Sequence, residues 1–198
     1  MYRSKIELHN VDCLPFMKQC EDKQFDLAIV DPPYATGRAN GDFGRGGKKS
    51  SQQKKYRKDL KNYGNHNEVP NEEYFKELFR ISKNQIVWGA NYYPKYFNHS
   101  GWLVWDKDKK DGLMSMAELA YQSFDKRVMI FRHEWEGFRK GNGSFEEGQK
   151  TIIHPNQKPN KLYEYCLANY AKSGDKIFDS HLGSGSIAIA CHNLGFDL

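Results

Sequence analysis

The run Phe25-Asp26-Leu27-Ala28-Ile29-Val30 carries a single charge and is cut off by Pro32 and Pro33. A short, nearly continuous apolar run bounded by prolines describes a strand buried on both faces, as inside a parallel sheet with helices above and below. Sheets of that kind deliver functional side chains at the carboxyl ends of their strands. An α/β fold is therefore expected, with Asp31 at a site. Pro32 and Pro33 hold φ at about −65° and remove two backbone donors, which leaves rigid carbonyl acceptors. Tyr34 adds a flat ring. Carboxylate, carbonyl and ring in succession suit a planar target bearing an amino group, although the same residues also describe an ordinary strand followed by a Pro-rich turn.

The 198 residues are enough for one α/β domain with a full core. Lys5 to Leu8 alternates as a short strand does, and Asp12-Cys13 precedes a helix from Leu14 to Lys18, where Asp12 caps the helix or faces a ligand in the sheet crevice. Asn71 offers an N-cap to a helix whose stripe is Tyr74, Phe75, Leu78 and Phe79. Gln85 to Trp88 and Trp102 to Trp105 read as strands, and Ala117 to Phe124 with Val128 to Phe131 as a strand pair joined by Asp125 to Arg127. Leu162, Tyr165, Cys166 and Tyr170 share a helical face, ahead of a strand from Lys176 to Phe178.

The charge of +5 is modest but concentrated. Residues 35–69 have no sustained periodicity, and between Arg45 and Lys61 the cations, among them Lys48, Lys49, Lys54, Lys55, Arg57 and Lys58, face one acid, Asp59. A long basic loop suits a polyanion, or is a soluble disordered segment. Arg132, Arg139 and Lys140 alternate with Trp135, Phe138 and Phe145, a mixture that serves phosphate and base contact together or an aromatic hairpin with a solvated edge. The four cysteines form no C-x-x-C pair and show no metal-like spacing with histidine, consistent with reduced thiols in a cytoplasmic protein and with no metal site. No apolar run approaches membrane-spanning length.

Asp179-Ser180-His181-Leu182-Gly183-Ser184-Gly185-Ser186, between a strand and the small apolar helix Ile187 to Leu194, can hold a nucleotide-like cofactor. Gly183, Gly185 and Ala188 also meet the G-x-G-x-x-G/A spacing of dinucleotide dehydrogenases, but that reading leaves Asp31 to Tyr34 unexplained.

Three stretches in order, Asp31-Pro32-Pro33-Tyr34, His154-Pro155-Asn156-Gln157-Lys158-Pro159 and Asp179 to Ser186, resemble the amino-group DNA methyltransferases that use S-adenosylmethionine, in the motif order of their β class. The resemblance implies a doubly wound, mostly parallel Rossmann-like sheet forming one catalytic domain over residues 1–198, with a recognition region inserted at about 102–150. It implies that Asp31 and the Pro32 carbonyl accept the amine hydrogens of a flipped base, that Pro33 shapes the turn, and that Tyr34 stacks on the base. It assigns the cofactor pocket to Asp12, Cys13, Asp31, Lys158, Pro159, Asp179, Gly183, Ser184, Gly185 and Ser186. Double-stranded DNA is the implied partner, gripped by the basic loop and by Arg132, Arg139 and Lys140, and a homodimer is left open. Asp at the head of the first motif leans toward adenine N6, with cytosine N4 and a weakly catalytic DNA-binding module as alternatives. Ser180 and His181 depart from the Pro and Phe common in the family. The strand expected to carry an acid for the cofactor ribose begins as the chain stops at Leu198, so it is either cut short or missing, and Asp197 is a candidate for the acid that stands early for that role.

Overall fold

The computed structural model describes residues 4–34, 69–97, 101–108, 115–124, 127–135 and 157–198. The segment Phe25–Val30 forms strand β1, flanked by β2 (Ser82–Trp88) and β6 (Ile177–Phe178), both parallel to it. Three further strands, β3 (Trp102–Asp106), β4 (Ala117–Gln122) and β5 (Val128–Arg132), complete a six-stranded sheet of order β5-β3-β4-β2-β1-β6. Among these, β4 alone runs against its neighbours, pairing antiparallel with both β2 and β3. The carboxyl ends of the other five therefore lie at the edge where β4 begins.

Alternation along β1 divides the core as a two-sided sheet requires. Leu27 and Ile29 join Ile86, Trp88, Leu103 and Trp105 on one face, under helices α3 (Asn160–Tyr170) and α4 (Ser186–Leu194). Ala28 and Val30 join Val87 on the other, under α1 (Cys13–Gln19) and α2 (Glu72–Ile81). Local chemistry sets the helix starts. Asp12 accepts from the Leu14 amide at 3.0 Å and Asn71 from the Tyr74 amide at 3.0 Å, each meeting a donor that the first turn leaves orphaned. The stripe of α2 buries Tyr74, Phe75, Leu78 and Ile81, and each such side chain removed from water contributes about 1.5–3 kcal/mol.

Two details differ from the sequence reading. The strands β4 and β5 do not pair with each other. Both flank β3, and β5 runs parallel to it. Apolar alternation fixes which face a strand buries but not its neighbour, so a short intervening turn misleads. As the sequence reading has it, a strand begins after α4, where Asp197 forms a parallel bridge with Lys176. The Asp197 carbonyl accepts from Ile177 at 2.8 Å, and Leu198 exchanges backbone bonds with Lys5 and Glu7 at 3.0 and 2.8 Å. The strand expected over Lys5 to Leu8 is not formed, and residues 5 and 7 are held by these backbone bonds to Leu198. The Asp197 carboxylate accepts from the Lys5 amide at 2.7 Å, so it ties two chain segments together.

Candidate active site

The sheet edge where β1 ends gathers residues from several segments. Asp31 follows β1 directly, and its Oδ2 lies 2.6 Å from Nζ of Lys158, just ahead of α3. The same ammonium stands 3.2 Å from Oε2 of Glu118, an ion-pair separation without hydrogen-bond geometry, while Glu118 Oε1 accepts from Lys107 at 2.5 Å. The Lys107 ammonium also sits over the Trp105 ring, 4.8 Å from its centre. Two cations and two carboxylates alternate, and both lysines are about 95% buried. Buried charges persist only when paired in this way. Burial raises the Asp31 carboxyl above the usual carboxylate range, against the pull of Lys158. For Glu118 the two ammonium groups outweigh burial and hold it down at about 2.

Among the described residues two carboxylate oxygens of this cluster are buried without a hydrogen bond, Glu118 Oε2, which still faces the Lys158 ammonium at 3.2 Å, and Asp31 Oδ1. A buried acceptor in that state costs roughly 1–3 kcal/mol, which a ligand donor would recover.

Behind Asp31, the Tyr93 hydroxyl donates to the Pro33 carbonyl and pins the turn, while Pro32 is buried. Tyr34 packs on the turn that ends β2. Gly89 there has φ +69°, and a Cβ on it would come within 2.6 Å of the Tyr34 ring. Glycine is required twice over, by the backbone and by the ring. The Tyr34 ring stacks on Tyr92, 4.4 Å between centres and 6° from parallel. Tyr92 is 47% exposed, so this partner covers Tyr34 from the solvent side.

On the other flank of β1, Asp179 follows β6 and accepts from the His181 amide at 3.0 Å. Burial, helped by the Asp31 charge, pushes its carboxyl up to about 7. Gly183 and Gly185 hold φ at +53° and +75°, the left-handed geometry that turns the chain into α4. Ser184 Oγ and Ser186 Oγ lie 2.8 Å apart, and Ser186 donates onward to the Lys158 carbonyl at 2.8 Å, which ties the glycine turn to the charged cluster. Pro159 is the residue before α3. Burial raises the Cys13 thiol, with the Asp12 and Asp179 charges adding to it, so the start of α1 stands at the same edge. Ser180 bridges the Tyr74 hydroxyl at 2.7 Å and His181 Nδ1 at 2.8 Å, and burial lowers the imidazole to about 4, a neutral packing group. A buried carboxylate that resists ionising, beside glycines and hydroxyls, fits a cationic ligand with polar substituents.

Of the DNA-contact expectations, Arg132 ends β5 at this same edge, with Nε on Asp106 Oδ2 at 3.0 Å. Lys48, Lys49, Lys54, Lys55, Arg57, Lys58, Arg139 and Lys140 lie outside the described residues, as do His154 to Asn156. Glu118, Lys107, Gly89 and Tyr92 were not singled out from the sequence. The one available signal was Gly89 directly after an apolar strand, a position that marks close backbone approach.

Comparison with known proteins now decides the family. The family described as DNA methylase (N6_N4_Mtase) matches residues 48–197. The chain belongs to that family. Among relatives of this DNA methylase, the type II methyltransferase M1.MboII of Moraxella bovis is 21% identical, with 96% of this chain and 88% of that protein covered. The type II methyltransferase M2.DpnII of Streptococcus pneumoniae is 25% identical over 98% of this chain and 83% of its own length. The methylase also shares its fold with the PvuII DNA methyltransferase (cytosine-N4-specific), at a TM-score of 0.61 and 12% identity, covering 98% of this chain and 80% of that one. It shares it too with M1.HpyAVI in its complex with SAM, at 0.53 and 15%, covering 97% and 90%. The mixed six-stranded sheet with helices on both faces is thus the Rossmann-like methyltransferase fold. No helix among the described residues is long and apolar enough to cross a membrane.

Proposed function

We propose that this DNA methylase transfers the methyl group of S-adenosylmethionine to the N6 amine of an adenine turned out of duplex DNA. The observation that carries the reading is Asp31 Oδ1, a buried carboxylate oxygen without a partner beside a rigid Pro-Pro turn and an aromatic ring. A base inside the duplex presents its amine to no such pocket, so the base must leave the stack.

Asp31 Oδ1 accepts one amine hydrogen and the Pro32 carbonyl the other, which aims the nitrogen lone pair away from the carboxylate. As the new N–C bond forms, the nitrogen becomes positive, and the fixed negative charge of Asp31 stabilises it more than it stabilised the neutral amine. The surplus amine proton then leaves by way of Asp31 Oδ1. Asp179, Gly183, Ser184, Gly185 and Ser186, with Asp12, Cys13, Lys158 and Pro159, line the cofactor pocket. When bound, the cofactor supplies a sulfonium methyl with a good leaving group. No covalent enzyme intermediate is needed, because orientation and polarisation suffice.

Tyr34 supplies the stacking face once Tyr92 yields it. The basic residues of 35–69 contact phosphates, and Arg132 at the end of β5 with Arg139 and Lys140 beyond it read the sequence, while β3, β4 and β5 are strands of the core sheet. Asp at the head of the motif favours adenine. The cytosine-N4-specific PvuII enzyme shares the fold, and cytosine N4 is therefore the second reading. Incubating plasmid DNA with the protein and labelled cofactor, then digesting to nucleosides, separates the two. N6-methyladenine is expected, and N4-methylcytosine alone would overturn the choice. DNA binding without calorimetric binding of S-adenosylmethionine would instead describe a binding module.

A further inference from the structure

Asp31 does not stand alone at the end of β1. It terminates a buried alternation of charge that enters from two other strands, and nothing in the proposed chemistry yet uses the far members. Lys158 bonds Asp31 Oδ2 at 2.6 Å, Glu118 Oε2 stands 3.2 Å behind that ammonium, and Lys107 bonds the opposite Glu118 oxygen. The side chains of Lys107 and Lys158 are 7% and 6% exposed, and those of Asp31 and Glu118 are 17% and 21% exposed. Water screens such a set poorly, so each charge is felt by the next.

A lone ammonium at 2.6 Å from Asp31 would defeat the purpose of Asp31. It would draw the carboxylate's charge toward itself and oppose the positive charge that grows on the amine nitrogen. It would also be free to swing onto the unpartnered Oδ1. Glu118 answers both problems. It gives Lys158 a second anion 3.2 Å from the ammonium, which holds the ammonium on Oδ2 and offsets its field at the amine. Lys107, anchored over Trp105, holds Glu118 in turn.

We infer that Glu118 is a positioning residue for methyl transfer, acting through Lys158 to keep Asp31 Oδ1 open and its negative charge available to the amine. This rests on the reading of Asp31 as the amine acceptor. The groups whose charge reaches Asp31 come from every neighbouring element: Lys158 before α3, Glu118 on β4 and Lys107 after β3 act on it, while Tyr34, Tyr93, Tyr163 on α3 and Asp179 after β6 respond to it. Of these, Glu118 raises the proton affinity of Asp31, and Lys158 and Lys107 lower it. Glu118 and Lys158 therefore act on the Asp31 proton with opposite signs, and the rate of methyl transfer is what separates a positioning role from a merely structural one.

The test uses two near-isosteric variants, Glu118→Gln and Lys158→Met, and two readouts on the full chain. The Asp31 carboxyl is titrated by carbon-13 NMR in aspartate-labelled protein, its signal assigned by its loss in Asp31→Asn, and single-turnover methyl transfer is followed across pH. In Glu118→Gln the Asp31 titration and the acid limb of the rate move to lower pH, and the plateau rate falls on the order of tenfold or more. In Lys158→Met both move to higher pH. An Asp31 titration unmoved in Glu118→Gln, one moved the same way in both variants, or a plateau rate unchanged in Glu118→Gln overturns the inference. Titrations that move as stated in a protein that transfers no methyl group to DNA leave the electrostatic arrangement standing and overturn the proposed function. General loss of fold shifts both variants alike and is distinguished by that symmetry.

Discussion

Asp179→Asn should stabilise the free protein at neutral and alkaline pH, and the size of the effect follows from where its carboxyl titrates. In the fold that group is pushed up to about 7 by burial, against 3.8 when freely solvated. Between those values the unfolded chain gives up a proton that the native state keeps, so stability falls as pH rises through the interval and the full loss is present above about pH 7. At 1.36 kcal/mol per tenfold change in proton affinity, the ceiling is about 4 kcal/mol, and partial water access at the rim reduces it to about 2. The amide of Asn keeps an oxygen for the His181 N–H and carries no charge to desolvate. Urea unfolding at about pH 8 should show the variant more stable by that amount, and the gap should close near pH 4, where both side chains are neutral. A cationic cofactor draws the proton off, so S-adenosylmethionine affinity in the wild type should weaken up to about tenfold per pH unit below pH 7. Equal stabilities at both pH values would refute the reasoning, because the carboxyl would then be as well solvated in the fold as out of it.

Gly89→Ala should cost about 2 kcal/mol in thermal unfolding, from the left-handed φ and the displaced Tyr34 ring; a loss under about 0.5 kcal/mol would mean that the turn relaxes freely. Asp31→Ala should abolish methyl transfer and leave calorimetric binding of S-adenosylmethionine nearly intact, whereas lost cofactor affinity would reassign Asp31 to the cofactor. Neutralising Lys54, Lys55, Arg57 and Lys58 together should weaken binding to all DNA sequences and flatten the salt dependence of affinity; an unchanged slope would make the loop a passive connection.

The end of β1, the stripe of α2 and the glycine turn before α4 were legible because each is written in local chemistry. An apolar run stopped by prolines, an N-cap ahead of an i, i+4 pattern and glycines at positive φ all act over a few residues. What the sequence hid was set by neighbours far along the chain. Glu118 reads as one polar residue on an alternating strand, and only the antiparallel register opposite Trp105 carries it past the end of β2 to Lys158. Tyr92 reads as one of several tyrosines in a turn-rich stretch, and its contact with Tyr34 depends on how β1 and β2 align. The partner of β5 was hidden for the same reason, since period-two alternation is identical whichever neighbour the strand finds.

The reversed direction of β4 also divides the assembly of the charged cluster in time. Lys107 and Glu118 are 11 residues apart and belong to one antiparallel strand pair, whereas Lys158 and Asp31 are 127 residues apart. Loop-closure entropy makes the first pairing cheap and the second late. Half of the cluster can therefore wait, already neutralised, until the last third of the chain docks. The aspartate on which the site depends thus meets its cation through a long-range contact, one that closes a loop of 127 residues against 11 for the other pair.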